Sequence, residues 1–229
     1  MLLIRHLRKA YPDFQLSIDH FSIEPATIVG LVGANGAGKT TFIRCIANFI
    51  RDYAGDVFIE GERYTGTERH IVSKLSYMSE EIDLISALTA EDHLDLARAL
   101  SPRWSNSTAR TLAKKWDLDL AKPVGRLSRG NRVKLGLVAA LSRQARLLIL
   151  DEPTSGLDPI VREQMLDHLR QLRSEGCTVL ISSHIIDDIK DVADVIAIMK
   201  TGSIVEVKAQ AGTRDTLKQH VLDVLMDGR

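Results

Sequence analysis

The sequence contains very few cysteines. Among its 229 residues only Cys45 and Cys177 occur, far apart, each in an apolar stretch and without metal-ligand spacing. We expect both to be buried, reduced thiols, as is usual in the cytosol. A disulfide framework and a cysteine-based metal site are therefore excluded as the basis of the fold.

The sequence also lacks long apolar runs and an excess of one charge. No apolar run approaches the ~20 residues that span a bilayer. The apolar segment in the N-terminal sequence MLLIRHLRK is too short for a secretion signal. Lys plus Arg and Asp plus Glu both number 30, which argues against a protein that lives on nucleic acid or anionic lipid. Any action at a membrane is expected to go through a partner.

No internal repeat, low-complexity segment or linker interrupts the chain. A mass of 25.4 kDa suits one substantial α/β core that carries a small insert. The first strands are predicted over residues 2–7 and 14–23, separated by a turn at residues 11–13, and they indicate a small β layer ahead of the core. In that turn, Tyr11 offers a ring that either stacks on a nucleobase or simply packs.

A glycine-rich stretch, GANGAGKTT, follows the apolar run Ile28–Val32 and precedes a predicted helix. This order is the context of a P-loop, in which glycines let successive N–H groups turn around phosphate oxygens. Lys39 can reach the β- and γ-phosphates, and the Thr40 hydroxyl can bind Mg²⁺. The predicted nucleotide-binding residues are Gly33, Ala34, Asn35, Gly36, Ala37, Gly38, Lys39, Thr40 and Thr41.

Two carboxylates, Asp151 and Glu152, come directly after the apolar run at residues 147–150. The carboxyl end of a buried strand is the edge at which α/β sheets bind ligands. Asp151 is suited to hold Mg²⁺ through water, and Glu152 is suited to accept a proton from an attacking water. His184 follows the next predicted strand, residues 177–182, although a lone histidine there is more often a bystander.

From about residue 84 to residue 143 the pattern is helical, and no strand is predicted before about residue 145. Thr89 is a predicted N-cap with Asp92 three residues later. A run of helices inside a strand–helix alternation predicts a helical subdomain inserted beside the core.

The stretch LSRGN at residues 127–131 opens a further predicted helix. Ser128 is a natural N-cap, which is sufficient reason for a serine there. A serine, a glycine and a helix N-terminus together also form an anion site, here without a phosphate-binding lysine of its own. The residues themselves leave both interpretations open.

In their order along the chain, the P-loop, LSRGN, LLILDE, SGLD and the later histidine resemble the ATP-binding subunit of ABC transporters, over nearly all 229 residues. The resemblance implies an α/β fold: a RecA-like P-loop NTPase core, an N-terminal antiparallel β layer and an inserted helical subdomain of about residues 84–143. Residues 1–229 would form one ABC-type ATP-binding domain. The implied cofactors are ATP and Mg²⁺, and the implied activity is hydrolysis of ATP to ADP and phosphate.

The resemblance assigns roles by position. Tyr11 would stack on adenine, Asp151 would close the Walker B motif, and residues 33–41 would form Walker A. Glu152 would be the catalytic carboxylate, and His184 the switch histidine on the γ-phosphate. The metal contacts would be Thr40, Asp151 and Glu80; Asp158 would belong to the D-loop; and the signature would comprise Ser128, Arg129, Gly130 and Asn131.

The resemblance also implies partners. Two ATPase domains would pair head to tail, as a homodimer or a heterodimer, so that each signature helix acts in trans on the nucleotide held by the other chain. Integral membrane permease subunits would hold this dimer at the cytoplasmic face of the cell membrane, and no nucleic acid would take part.

Two features depart from the family pattern. Glu80 stands where a glutamine is common after the strand predicted at residues 75–78, which puts that metal contact in doubt. In the signature, Arg129 replaces a glycine and Asn131 a glutamine, while Ser128 and Gly130 keep the hydroxyl and the close backbone approach.

The resemblance favours the ATPase subunit of a multi-subunit transporter. The short chain, with no added C-terminal regulatory domain, and the SRGN-type signature resemble bacterial type-2 ABC exporters. A soluble, non-transport ABC ATPase, such as a component of iron–sulphur cluster assembly, is the alternative. A nucleic-acid ABC protein is disfavoured, because the chain has one ATPase module, no coiled-coil insertion and no basic excess.

Overall fold

The structure is a computed structural model that describes residues 1–81, 83–209 and 214–226. Its strands are β1 Leu2–Tyr11, β2 Phe14–Ile23, β3 Ile28–Val32, β4 Ala54–Ile59, β5 Glu62–Arg63, β6 Leu75–Met78, β7 Leu147–Leu150, β8 Thr178–Ser183, β9 Val195–Lys200 and β10 Ser203–Ala209. Four of them form an antiparallel sheet in the order β2-β1-β4-β5. This sheet is the β layer that the sequence predicts.

β1 is longer than the predicted residues 2–7, because its ladder with β2 continues to the pair Tyr11↔Phe14. Its pairing with β4 shifts register between Arg5 and Arg8. A β-bulge of this kind lets a strand continue past an irregularity. The connecting turn is therefore tighter than the three residues predicted, and Tyr11 belongs to the strand.

The second sheet has six strands in the order β10-β9-β3-β8-β7-β6. All its pairs are parallel except β10 with β9. Every residue of β3, β7 and β8 is buried, which explains why β3 and β7 appear in the sequence as continuous apolar runs and why the middle of β8 is apolar. Their carboxyl ends lie together at one edge, and the P-loop, Asp151–Glu152 and His184 all follow at that edge.

The helices are α1 Lys39–Ile46, α2 Arg69–Val72, α3 Ala90–Ala99, α4 Asn106–Lys115, α5 Arg129–Leu141, α6 Pro159–Ser174 and α7 Arg214–Met226. Between β6 and β7 the described residues form helices and turns but no strand beyond a single bridge, Thr89↔Pro123. Thr89 and Asp92 form the predicted capping box at the start of α3. The range 84–143 as a subdomain stays a prediction, although α3, α4 and α5 lie within it.

The core consists of two apolar clusters on opposite faces of the parallel sheet. Along β3, Val29 and Leu31 face the cluster shared with the β layer, whereas Ile28 and Val32 face the cluster shared with α3 to α6. This alternation follows the two-residue period of a strand that is covered on both sides. The sheet edge that carries the P-loop, Asp151–Glu152 and His184 is therefore fixed between two packed layers.

Both cysteines are free and buried, as predicted. Burial raises the pKa of the Cys45 thiol to about 12 and that of Cys177 to about 11, so both are protonated and inert at neutral pH. Within the described parts of the chain, no helix has the length and apolar character needed to cross a membrane.

Candidate active site

The loop between β3 and α1 is shaped by two close approaches. A Cβ on Gly38, whose φ is +103°, would lie 2.5 Å from the Phe14 ring, and one on Gly33 would lie 2.4 Å from the carbonyl oxygen of Met199. Neither contact tolerates a side chain. No side chain caps α1, and no acidic residue stands in its first turn, so the partial positive charge of this helix start is left for an anion.

Lys39 is the first residue of α1 and is buried. Its Nζ donates to the carbonyl oxygens of Gly33 at 2.8 Å and Ala34 at 3.3 Å, and lies 3.4 Å from Glu152 Oε1. The ammonium group is thus held inside the loop and against the carboxylate that the sequence marks as catalytic. A bound phosphate would compete with these three acceptors for the same cation.

Asp151 lies at the end of β7 and is fully buried. Its Oδ1 accepts a hydrogen bond from the Ser182 hydroxyl at 2.6 Å, whereas Oδ2 has no partner among the described residues. Burial raises the pKa of this carboxyl, and the hydroxyls of Ser182 and Thr40 oppose the shift. The unpartnered buried oxygen near Thr40 fits a hard cation such as Mg²⁺.

Thr40 and Asp151 alone do not complete a metal site, and the contact of Glu80 with the metal stays a prediction. Among the described residues, no group of three or more His, Cys, Asp or Glu side chains is arranged to hold a metal. Mg²⁺ ordinarily takes one or two protein carboxylates together with substrate phosphates and water. Thr40 and Asp151 would therefore hold the ion only jointly with a nucleotide.

Glu152 is buried and adopts a φ of +48°, a strained backbone conformation for a residue with a side chain. Its Oε2 lies 2.9 Å from Nδ1 of His184, and its backbone N–H donates to Ser182 Oγ at 2.9 Å. The carboxylate is thus positioned between Lys39 and His184. This arrangement suits a base whose proton can be shared with an adjacent imidazole.

Ser182 is a residue that the sequence reasoning missed. Its hydroxyl donates to Asp151 and accepts from the Glu152 backbone, so one buried side chain positions both carboxylates. The only sequence signal is a pair of serines at the end of an otherwise apolar strand. Nothing in the sequence says which neighbouring strand they contact.

The cleft above the loop has a volume of about 630 Å³. Besides the loop residues from 35 to 41, it is lined by Asp13, Phe14, Glu80, Glu152 and His184. Gly33 and Ala34 are instead the loop residues whose carbonyls hold Lys39. Lys39, Thr40, Glu80, Glu152 and His184 therefore lie around one cleft, whereas Asp151 is not among its described lining residues.

Tyr11 does not line the cleft, and Phe14 does. Tyr11 is 42% exposed. The centroid of its ring lies 6.3 Å from the centroid of the Phe14 ring and 4.8 Å from Lys9 Nζ. Stacking of Tyr11 on a base stays a prediction. Phe14 was missed because its place in the alternation of β2 identifies it only as a strand residue.

The signature residues lie at the start of α5, away from this cleft. Ser128 caps the helix by accepting from the Asn131 N–H at 3.2 Å, and Arg129 donates to Ser155 Oγ at 3.0 Å. A Cβ on Gly130 would lie 2.7 Å from the carbonyl oxygen of Gly156. None of the four signature residues is among the described residues that line the cleft, and their action in trans stays a prediction.

The predicted D-loop connects Glu152 to α6. Asp158 caps α6 by accepting from the Val161 N–H at 2.9 Å, and Pro159 is the first residue of the helix. Further support, unseen in the sequence, comes from the buried Asp188, which accepts from Thr154 at 2.8 Å and from Arg162 at 2.5 Å. These contacts fix both ends of the loop that follows the catalytic carboxylate.

Comparison with known proteins identifies the family. The family model described as ABC transporter matches residues 16–155. The lantibiotic transport ATP-binding protein SrtF of Streptococcus pyogenes is 32% identical, with 94% of this chain and 93% of that protein covered. The bacitracin transport ATP-binding protein BcrA of Bacillus licheniformis is 34% identical, with 87% and 67% covered. A solved ATP-binding subunit of an ABC transporter superposes with a TM-score of 0.84 at 25% identity, covering 97% of this chain and 99% of that one.

Proposed function

The chain belongs to the ABC transporter family, and we propose that it is the ATP-hydrolysing subunit of an exporter whose separate permease carries the substrate across the membrane. The observation that carries this proposal is the meeting of Lys39, Thr40, Asp151, Glu152 and His184 at one edge of the parallel sheet. The work of the subunit is hydrolysis of ATP to ADP and phosphate.

In this proposal each residue has one task. The P-loop amides and Lys39 bind the β- and γ-phosphates. Glu152 accepts a proton from the water that attacks the γ-phosphorus, and the bond to the β,γ-bridging oxygen breaks to release ADP. His184 orients Glu152 through the 2.9 Å contact. Thr40 and Asp151 would hold Mg²⁺, which would neutralise phosphate charge when bound.

A head-to-tail dimer explains the second helix start. Ser128 and the N-terminus of α5 are exposed and lie away from the cleft of their own chain. A helix N-terminus without acidic residues in its first turn favours an anion. The anion proposed is the γ-phosphate of ATP bound to the partner ATPase.

The permease is proposed to contact a groove of about 750 Å³ between the end of α1, the segment after β6, and helices α3 and α5. Its lining includes Leu96, Leu100 and Phe49, which is 71% exposed. Arg143 also lines it, half-buried and without a hydrogen bond or ion pair to any described residue. The groove also contains Glu81 and Asp83, so its apolar part together with the unpaired Arg143 guanidinium suits an amphipathic segment that bears a carboxylate.

This groove and the named relatives favour a transporter over the soluble ABC ATPase. SrtF and BcrA are named for lantibiotic and bacitracin transport, so we propose a peptide antibiotic as the substrate class. The proposed location is the cytoplasmic face of the cell membrane, where the permease would hold the subunit.

Affinity purification of the tagged chain from its native membranes tests this proposal. An integral membrane protein is expected to co-purify, and Arg143→Glu is expected to reduce its recovery at least about fivefold while leaving ATP binding unchanged. The exposed Arg103→Glu serves as the matched control. Recovery of the chain without any membrane protein would favour the soluble ATPase, and unchanged sensitivity to peptide antibiotics after gene deletion would contradict the substrate class.

A further inference from the structure

The two departures from the family pattern lie around one cavity. Glu80 and Arg129 both line a space of about 380 Å³ between the segment after β6 and the first turn of α5. Glu81 and Arg132 line it as well. Two carboxylates and two guanidinium groups therefore line one cavity, although they are about 50 residues apart in the sequence.

Glu80 also lines the nucleotide cleft, together with Lys39, Thr40 and Glu152. A glutamine at this position would be neutral, whereas a glutamate brings a further negative charge to a cleft that must admit a triphosphate. Like charges in a partly desolvated cleft repel one another and lower affinity. A nearby cation is needed to offset that repulsion.

Arg129 is held where it can serve as that cation. Its Nη2 donates to Ser155 Oγ at 3.0 Å, and its aliphatic chain lies against Gly156. These contacts fix the stem of the side chain on the D-loop, next to the cavity that Glu80 lines. A glycine at position 129 would leave the cavity with one cation fewer.

We propose that Arg129 is a positioning residue that offsets the charge of Glu80 within the same chain, so that the two departures compensate each other. The inference rests on the proposed ATPase function, because the affected quantity is affinity for nucleotide. It differs from the action of the signature in trans, since Glu80 and Arg129 face one cavity of a single chain. The hydrogen bond to Ser155 keeps the guanidinium in place.

A double-mutant cycle tests the coupling. We would measure the dissociation constant of a non-hydrolysable Mg²⁺–ATP analogue by titration calorimetry, at a protein concentration at which sedimentation shows monomers. Arg129→Gln is expected to weaken binding about fivefold, the upper range for a solvent-exposed charge pair. In a Glu80→Gln background the same substitution is expected to have an effect below about twofold.

Three controls identify the cause. Arg129→Lys retains the charge and is expected to bind within about twofold of wild type. Arg126→Gln removes an exposed arginine that does not line the cavity and is expected to leave affinity unchanged. Raising the salt to about 1 M is expected to abolish the effect of Arg129→Gln, because the Debye length is then about 3 Å.

An equal loss of affinity from Arg129→Gln in the wild-type and Glu80→Gln backgrounds would overturn the inference. So would a loss that salt does not reduce, because that result would place Arg129 in a purely structural contact with Ser155. Failure of the wild-type chain to bind the analogue at all would instead contradict the proposed function. The two failures are therefore distinguishable.

Discussion

Among the described residues, the N-termini of α1 and α5 are the two helix starts proposed to face a phosphate, and they differ in the groups that surround them. α1 begins at Gly38 with no side-chain cap, and Lys39 is buried beside it. α5 begins at Ser128, whose side chain satisfies the Asn131 N–H, and its start is exposed. Both lack acidic residues in the first turn, whereas α3 has Glu91 and Asp92 there.

This difference indicates which of the two helix starts can bind a nucleotide without a second chain. The start of α1 supplies a cation, open amides and nearby carboxylates for chemistry, so it forms a complete phosphate site within one chain. The start of α5 supplies a hydroxyl and a helix dipole but lines no nucleotide cleft of its own. In the proposed head-to-tail dimer it contributes when another chain brings a phosphate to it.

Glu152→Gln is expected to give the largest effect, because it removes the base beside α1 and leaves both helix starts intact. Hydrolysis should fall roughly 10²–10⁴-fold, while ATP binding survives. Since both ends still function, an ATP-dependent dimer should accumulate and appear as a new peak in size exclusion. Near-normal turnover would show that another residue is the general base, and His184 would be the first alternative.

Ser128→Arg alters the start of α5 and leaves the start of α1 unchanged. A long guanidinium at the helix start would block the approach of a partner's phosphate but leave the P-loop untouched. We expect near-normal ATP binding by the monomer, no ATP-dependent dimer and hydrolysis lower by about 10²–10³-fold, as for loss of a donor that stabilises the transition state. Wild-type turnover of this variant would show that the head-to-tail dimer is wrong for this protein.

Lys39→Ala alters the start of α1 and leaves the start of α5 unchanged. It removes the buried ammonium that contacts Gly33, Ala34 and Glu152, so ATP affinity should fall about 10²-fold, as expected for two charge-assisted hydrogen bonds. The fold should remain intact. Equilibrium titration measures the loss, and the exposed Lys114→Ala is the control; wild-type affinity of Lys39→Ala would contradict the P-loop assignment.

The sequence was sufficient to predict those parts of the site that depend on chain-local patterns. Glycine spacing predicts the P-loop, and continuous apolar runs predict β3, β7 and β8 with functional residues at their ends. Thr89 and Ser128 were predicted as caps for the same reason, because a cap lies within three residues of the N–H that it binds.

The missed residues depend on contacts between distant elements. Ser182 positions Asp151 and Glu152 across two strands, and Asp188 joins Arg162 of α6 to Thr154. Phe14 reaches the cleft only because Gly38 leaves room for its ring. No local pattern encodes which elements become neighbours, so these contacts required the structure.

The smallest expected effect distinguishes the helix-capping role of Ser128 from its proposed role in ATP hydrolysis. Ser128 and Ser105 are matched caps: Ser128 accepts from Asn131 N at 3.2 Å, and Ser105 accepts from Thr108 N at 3.1 Å at the start of α4. Each serine-to-alanine change should cost about 1 kcal/mol of stability. Thermal unfolding should therefore show similar, small decreases in Tm for both variants.

The two variants should nevertheless differ in activity. Ser105→Ala should hydrolyse ATP at the wild-type rate, because α4 presents its cap to no nucleotide. Ser128→Ala should lose a donor to the partner's γ-phosphate and turn over several-fold more slowly, with monomer ATP binding unchanged, since a neutral hydrogen bond contributes about 1 kcal/mol. Equal rates for both variants would mean that Ser128 only caps its helix, and the role of α5 would then rest on backbone amides and the helix dipole alone.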